Sequence, residues 1–589
     1  MKTRSGLRSS ILLLGIAALT AGCTSSDQGA STGQDAAVQA DLLLYGGKVV
    51  TVDNDFSIAS AVAVKDGKIL AVGGAELAQQ YPASQRLDLK GRVLMPGFTD
   101  THIHIRTSAR RDVDLINVKS IREMQELVRA KAQELGPGEW ITGYGWDEAL
   151  FAEKRNPLRG DLDAAAPDNP VVLTRAGGHS SVGNSAAIKI AGITRTTPDP
   201  ESGLIERDAK GEPNGIIRER SDLYLRHAPP KKWEDLRDSY VASLKALLPL
   251  GITSVMDASG SIDDEPVGQG GTAEPSPRVT YRRAREIYDR MGTDLPRLAL
   301  YISYPGLERI NAYPNHTGYG DDRVRIGPIG ETAVDGGFTG PTAWTLVDYK
   351  GMPGFRGKGR FKDEELQEIV DASAKRGWQM GLHAIGDAAI VQTVGAYSAA
   401  LRNIVGPQKD HRWFLDHFTI MPPEATMKTM AEDKILIAQQ PNFTYNLEDR
   451  YVQTLDDTRV QHTNSVATPA KKFGLFVAFG SDNLPIGPMV GIYTAVTRKG
   501  MSGKVYGAEE AVSIEEAIRM YTANGPYLTW EEGTKGTIEA GKLADMIVLD
   551  SDPLTIPPAR LLDVKVDTTI IGGKIVYDRS VGAPDARHE

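Results

Sequence analysis

A chain of 589 residues, 41% hydrophobic and 24% charged, is long enough to bury a large core and to form more than one domain. Its net charge of −9, with no basic cluster in the body, argues against nucleic acid as a partner. A single cysteine excludes an intramolecular disulfide and any Cys-rich zinc site, so a bound metal must be held by His and carboxylate side chains.

The N-terminus reads as an export signal over residues 1–22. Lys2, Arg4 and Arg8 form a positive start, and Ile11 to Gly22 is a short apolar stretch ending in small residues. It is short for a membrane span. Leu19-Thr-Ala-Gly-Cys23 resembles a bacterial lipobox, which implies cleavage before Cys23, a lipid on its thiol and a membrane-anchored, exported protein. An ordinary signal peptide and an uncleaved anchor are the alternatives. The only cysteine falls at the position the lipobox requires. Residues 23–40 are small and polar and read as a flexible tether.

Short β segments follow: Leu42–Tyr45, Lys48–Val52, Ser60–Val64 and Lys68–Val72, with turn signals at Gly46-Gly47 and Asp66-Gly67. The far end has the same character in Asp545–Leu549, Val566–Ile571 and Lys574–Tyr577, with Gly572-Gly573 as a turn. The two β-rich ends, 41–94 and 531–580, are able to form one small domain if they meet; residues 581–589 are a tail. Between them, over 95–530, helical and strand patterns alternate. Ile121–Leu135 and Asp363–Arg376 have apolar residues at helical spacing. Ser513-Ile-Glu-Glu516 is a capping box, and Asn524-Gly-Pro526 is expected to close its helix. Apolar runs stand between helices at Val171–Thr174, Ile252–Val255, Leu298–Ile302, Met380–Leu382, Ile435–Ile437 and Phe476–Phe479. This alternation predicts a parallel α/β domain. A closed eight-stranded barrel fits the length if several loops are long, and Ser261–Arg278, rich in Gly, Pro and acidic residues, is one such loop.

Several of these runs end in a metal-capable residue. His102 and His104 close the run from Arg92; residues i and i+2 of a strand share a face, so the two imidazoles start a metal site. Glu331, His383, His417 and Asp482 follow other apolar runs. In a barrel such strand ends converge on one face. Singly, each is more often a satisfied core histidine, a loop carboxylate or a cap; their recurrence in a chain of ten histidines favours a site. His227, His316, His411, His462 and His588 lie in polar stretches and are read as surface residues. The aromatic run Trp140 to Asp147 is read as core packing in preference to pocket lining.

Taken together, the motifs are similar to those of the amidohydrolase superfamily, in its amidohydrolase-3, YtcJ-like branch. They are Met95-Pro-Gly-Phe-Thr-Asp-Thr-His-Ile-His104, Gly178-His179 with Asn184-Ser-Ala, Val334-Asp-Gly-Gly337, His383-Ala-Ile-Gly-Asp387, Asp416-His417, Gly480-Ser-Asp482 and Gly536-Thr-Ile-Glu-Ala-Gly-Lys-Leu-Ala-Asp545. The resemblance implies a metal-dependent (β/α)8 barrel, a TIM barrel, with a β-sandwich built from both chain ends. It implies that His102 and His104 hold one metal, His383 and His417 a second, and that Asp482 contacts the first and acts as the base. Many relatives have a carboxylated lysine where this chain has Glu331, which leaves one or two ions open. His179 faces the substrate in that reading and is a loop histidine otherwise.

The implied chemistry is hydrolysis of a non-peptide C–N bond in a small molecule, by water that a divalent ion, Zn²⁺ by choice of ligands, activates. Asp482 takes the proton, and His383 or His179 stabilises the oxyanion. A C–O hydrolase or ring deaminase on the same site, and an inactive ligand-binding surface lipoprotein, are the rivals. The intact ligand set argues against the last. Oligomeric state is not legible.

Overall fold

The structure is a computed structural model that describes residues 38–581, apart from 149, 177, 179, 201–202, 263–278, 293 and 339. The stretch expected to be an export signal, Cys23, His179, His588 and most of the loop from Ser261 to Arg278 therefore lie outside the described residues. Among those described, no helix is long and apolar enough to cross a membrane.

Eight parallel strands form the central sheet: β1 (Phe98–Ile103), β2 (Ile252–Asp257), β3 (Arg297–Ile302), β4 (Val324–Ala333), β5 (Met380–Ala384), β6 (Phe414–His417), β7 (Leu436–Gln439) and β8 (Val477–Phe479). Each pairs with the next in order, and β2 pairs with β1. The last gap is bridged where Asp482 N–H donates to the His102 carbonyl at 2.7 Å, with Ile103 opposite Asp482. Gly480 permits that approach, since a Cβ there would stand 2.5 Å from His102 N. Interior side chains such as Met256, Tyr301 and Phe414 fill the tube, and Ile437, Val477 and Phe479 pack with the surrounding helices.

The two β-rich segments do meet. Met546–Leu549 lies antiparallel to Val93–Pro96, and eight strands from both ends make one continuous sheet. Asp66-Gly67 and Gly572-Gly573 turn with positive φ as their hairpins require. Gly46-Gly47 does not turn. Leu42–Tyr45 and Lys48–Val52 merge into one strand, Ala40–Val50, whose register slips between Tyr45 and Val49. A bulge satisfies the same glycines as a hairpin would.

The expected span of a single barrel over 95–530 contains an insertion. Between β1 and β2 a separate six-stranded sheet runs in the order Leu204–Arg207, Pro213–Arg218, Ser180–Gly183, Val171–Arg175, Ile141–Trp146, Asp112–Asp114. The apolar run Val171–Thr174 belongs there and not to the barrel. Its own core gathers Val113, Met124, Ile141, Trp146, Phe151 and Leu173. The helix Ile121–Leu135, capped by Ser120 accepting from Glu123 N–H, packs on it. The capping box at Ser513 is present and starts Ile514–Tyr521, but Asn524-Gly-Pro526 opens a further short helix, Asn524–Leu528. Proline has no N–H to satisfy in a first helical turn, so it fits an opening as well as a stop.

Candidate metal centre

The six described residues expected to hold metal all come together at the C-terminal ends of the barrel strands. His102 lies in β1 and His104 just beyond it; Glu331 lies near the end of β4, His383 in β5, His417 at the end of β6 and Asp482 just past β8. Three of them, Glu331 (φ 51°), His417 (φ 73°) and Asp482 (φ 54°), have left-handed backbone. That conformation is costly for a side chain other than glycine and gathers at functional sites. At His417 it breaks the strand alternation. Asp416 and His417 would otherwise point to opposite faces; here both reach the interior, Asp416 toward His102 and His417 toward Glu331.

Glu331 is the hub. Its carboxylate faces His102 Nε2 at 3.8 Å, His104 Nε2 at 3.7 Å, His417 Nε2 at 3.6 Å and His383 Nδ1 at 3.2 Å. Asp482 Oδ1 stands 3.6 Å from His104 Nε2. Apart from the His383 contact these separations are too long for hydrogen bonds. His102 Nε2, Glu331 Oε2 and His417 Nε2 are buried and have no hydrogen-bond partner among the described residues. Such orphaned buried atoms are expensive unless something satisfies them. They offer ligand atoms within 4.8 Å of one another, as do His102, His104 and Asp482. The donor set of imidazoles and carboxylates suits a zinc-like divalent cation, so the residues present fit a metal.

The rings are aimed by an outer set of groups that the sequence reading did not assign. His102 Nδ1 makes an ion-pair contact of 3.0 Å with Oδ1 of Asp416, a fully buried carboxylate 3.3 Å from the Tyr301 hydroxyl, which itself donates to the Thr101 carbonyl at 2.8 Å. His417 Nδ1 lies 2.8 Å from Gln440 Oε1, and Gln440 donates its amide to the Ala438 carbonyl at 3.1 Å. His104 Nδ1 lies 3.1 Å from Ser259 Oγ. Asp257, at the end of β2, accepts from the N–H groups of Ile105 and Ser259 and from the Tyr240 hydroxyl. Anchoring one ring nitrogen leaves the other to face the site. Asp335, buried two residues past the end of β4, accepts the N–H groups of Trp344, Ile385 and Gly386 and so holds the loops beside His383. Asp257 and Asp416 do carry a signal in sequence, since each also ends or nearly ends an apolar run; Gln440 and Tyr301 carry none.

The electrostatics agree with a cation site. Burial opposes charge on His102, yet the carboxylates of Asp416 and Glu331 lift its pKa to about 10. Burial likewise opposes charge on His383, and Glu331 raises it. Burial pushes the Asp416 carboxyl up, while Glu331, against its own burial, is held well below the usual range by His383 and His102. A field that holds protons on buried imidazoles is one that a divalent ion would relieve.

Of the remaining histidines, His227 and His316 are exposed as expected. His411 is not a surface residue: it is 8% exposed, accepts the Trp413 N–H on Nδ1 at 2.9 Å and donates from Nε2 to the Asp433 carbonyl at 2.8 Å. His462 is half-buried, 3.5 Å from Glu510. Polar neighbours in sequence misled here because the chain enters β6 from His411. Trp140 and Trp146 are core, as expected, but Tyr144 is only partly buried and carries Arg106 on its face. A cavity of about 380 Å³ beside Phe476, ringed by Arg519, Lys535 and Lys542, lies at the strand starts, away from the ligands, and its cations are already bonded.

Residues 85–577 match the model of the Amidohydrolase family. The chain is 29% identical over 548 residues to YtcJ of Bacillus subtilis (strain 168), covering 91% of this chain and 99% of that protein. It is 27% identical over 557 residues to N-substituted formamide deformylase of Arthrobacter pascens, covering 92% and 99%. Among solved structures, a metal-dependent hydrolase of Pyrococcus furiosus superposes with a TM-score of 0.65 at 25% identity, covering 87% of this chain and 100% of its own. One from Pyrococcus horikoshii OT3 gives 0.68 at 23%, covering 88% and 99%.

Proposed function

The chain belongs to the amidohydrolase family and is a metal-dependent hydrolase acting on C–N bonds; from that premise we propose how its residues divide the work. The observation that carries the reading is Glu331 standing among four imidazoles, with His102 Nε2, His417 Nε2 and its own Oε2 without a hydrogen-bond partner among the described residues. His102, His104, Glu331, His383, His417 and Asp482 would hold one or two divalent ions, zinc by the nature of the donors. When bound, such an ion lowers the pKa of water from about 15.7 toward about 7 and polarises a carbonyl.

Asp482 accepts the proton of the attacking water and returns it to the leaving nitrogen. Its backbone N–H is tied to the His102 carbonyl, so its carboxylate is fixed beside His104. His383 Nε2 donates to the Gly336 carbonyl at 3.3 Å, which leaves Nδ1 facing Glu331 as the atom able to ligate and no N–H free for an oxyanion. We assign the oxyanion role to His179. The substrate is a small amide, formamide or cyclic amide; the name of the formamide deformylase relative supports that class.

The test is metal analysis of residues 24–589 beside Asp482→Asn and the His102→Ala/His104→Ala double variant. About one or two equivalents of metal are expected in the wild type, and fewer in the double variant. Asp482→Asn is expected to keep its metal and lose about 100-fold or more in kcat. A metal-replete Asp482→Asn with near wild-type turnover would remove the base from this residue.

The lipobox-like stretch supports export and a lipid on Cys23. Metabolic labelling with a fatty acid should mark the full chain and not Cys23→Ser; equal labelling of both would end that proposal.

A further inference from the structure

Asn483 follows the residue proposed as base and reaches the same histidine at a different atom. The Asp482 carboxylate stands 3.6 Å from the His104 ring, and the Asn483 amide donates to the His104 carbonyl at 3.2 Å. That bond fixes which way the amide faces, since the reverse orientation would set its oxygen against a carbonyl oxygen. Asn483 Oδ1 is buried and has no hydrogen-bond partner among the described residues. In this it resembles His102 Nε2 and Glu331 Oε2 of the metal centre. An amide oxygen removed from water and left without a donor is costly, and the group that suits it is an N–H.

The loop that carries both side chains is held at each end. Asp100 accepts the Ser481 N–H at 2.9 Å, and the Ser481 hydroxyl accepts the Gly487 N–H at 3.2 Å. Asn442, fully buried at the start of the helix after β7, donates to the carbonyls of Pro485 and Gly487 at 2.7 and 3.1 Å. Asn483 is therefore kept beside the base. Amide cleavage makes a geometric demand that such a neighbour meets. As water adds to the carbonyl carbon, the nitrogen lone pair must turn toward Asp482 to receive a proton, and the N–H must point elsewhere. An acceptor next to Asp482 selects that orientation. The leaving oxygen of an ester has no N–H to offer and would set its own lone pairs against Oδ1.

We propose that Asn483 is a specificity residue whose Oδ1 accepts the N–H of the scissile amide, a contact that selects nitrogen over oxygen as the leaving atom. The proposal rests on the hydrolytic reading above and narrows its substrate class to amides of primary amines. The water oxygen joins the carbonyl carbon and one of its protons passes to Asp482. The C–N bond breaks as Asp482 returns that proton to the nitrogen. The products are a carboxylic acid and a primary amine, whose nitrogen keeps the hydrogen held by Asn483 throughout.

The experiment uses the metal-loaded chain with two probes, N-phenethylformamide and phenethyl formate, which differ by an N–H against an oxygen. Turnover, calorimetric binding and metal content are measured for wild type, Asn483→Leu and Asn483→Asp. Leucine keeps the volume without the acceptor; aspartate keeps an acceptor and gives up the bond to His104. Asn483→Leu is expected to retain its metal and to lose about tenfold or more in kcat/KM on the formamide, with the ester unchanged or faster. Asn483→Asp should lose equally on both probes, so that its ratio of amide to ester activity stays near that of the wild type. Equal losses in Asn483→Leu would make Asn483 a mere brace of the loop and overturn the proposal, as would an undiminished rate on the formamide. If the wild type cleaves neither probe, binding decides. Tighter binding of the amide, abolished in Asn483→Leu, would uphold the N–H contact while counting against the hydrolytic reading; binding without that preference would overturn the contact.

Discussion

Gln440 decides which nitrogen of His417 faces the site. With its amide spent on the Ala438 carbonyl, it offers only oxygen to Nδ1, which must then carry the hydrogen. Gln440→Leu fills similar volume without that acceptor and is expected to weaken metal affinity by about 10- to 100-fold. Competition with a coloured chelator reads this directly; an unchanged affinity would deny Gln440 the role. His411 belongs to the acid stability of the protein. Burial pushes its pKa below 6.5, and its Nδ1 must stay unprotonated to accept the Trp413 N–H. Below the unfolded value the unfolded chain takes up a proton that the native ring resists. This contribution is therefore whole above about pH 6.5 and is lost as pH falls through the window beneath it. Urea midpoints should drop between about pH 7.5 and about pH 5.5, and less so in His411→Asn. Identical slopes in both proteins would place the effect elsewhere.

At the scale of elements, periodicity located what it could distinguish. The runs at Leu298–Ile302, Met380–Leu382 and Phe476–Phe479 are barrel strands because parallel strands buried on both faces read as continuous apolar stretches. Val171–Thr174 has the same appearance yet sits in the inserted sheet, which is also covered on both faces. No local pattern separates those cases, since the difference lies in which strand is the neighbour. Gly46-Gly47 shows the same limit for turns. Two glycines permit positive φ, but whether the chain reverses or bulges depends on the partner, here Arg92, whose carbonyl stands 2.4 Å from where a Cβ of Gly47 would be. The six residues expected to bind metal could be picked out because each lies at or just beyond the end of an apolar strand run. Asp416 and Gln440 were not assigned because their value depends on the ring each one touches.

Across the whole molecule, one buried ion pair ties the terminal sheet to the barrel. Arg297, in β3, donates to both oxygens of Asp545 at 2.6 and 3.0 Å, and the same carboxylate accepts the Gly572 N–H. Both side chains are about as buried as core residues, so removing one partner strands the other. Arg297→Met is expected to cost about 3–5 kcal/mol. Denaturant unfolding checks it, and a loss below about 1 kcal/mol would mean that water reaches Asp545 in the variant. The bridge between Asp482 and the first strand has a different kind of consequence. The residue proposed as base is also the clasp of the barrel, and its partner, His102, is a proposed ligand from the opposite end of the domain. Nascent chain that has emerged as far as β7 holds five of the six proposed ligands but has an open tube. The last ligand and the last seam arrive together, so assembly of the complete centre and closure of the fold are one event. An ion captured there would act as a lock on a finished molecule, not as a template for an unfinished one.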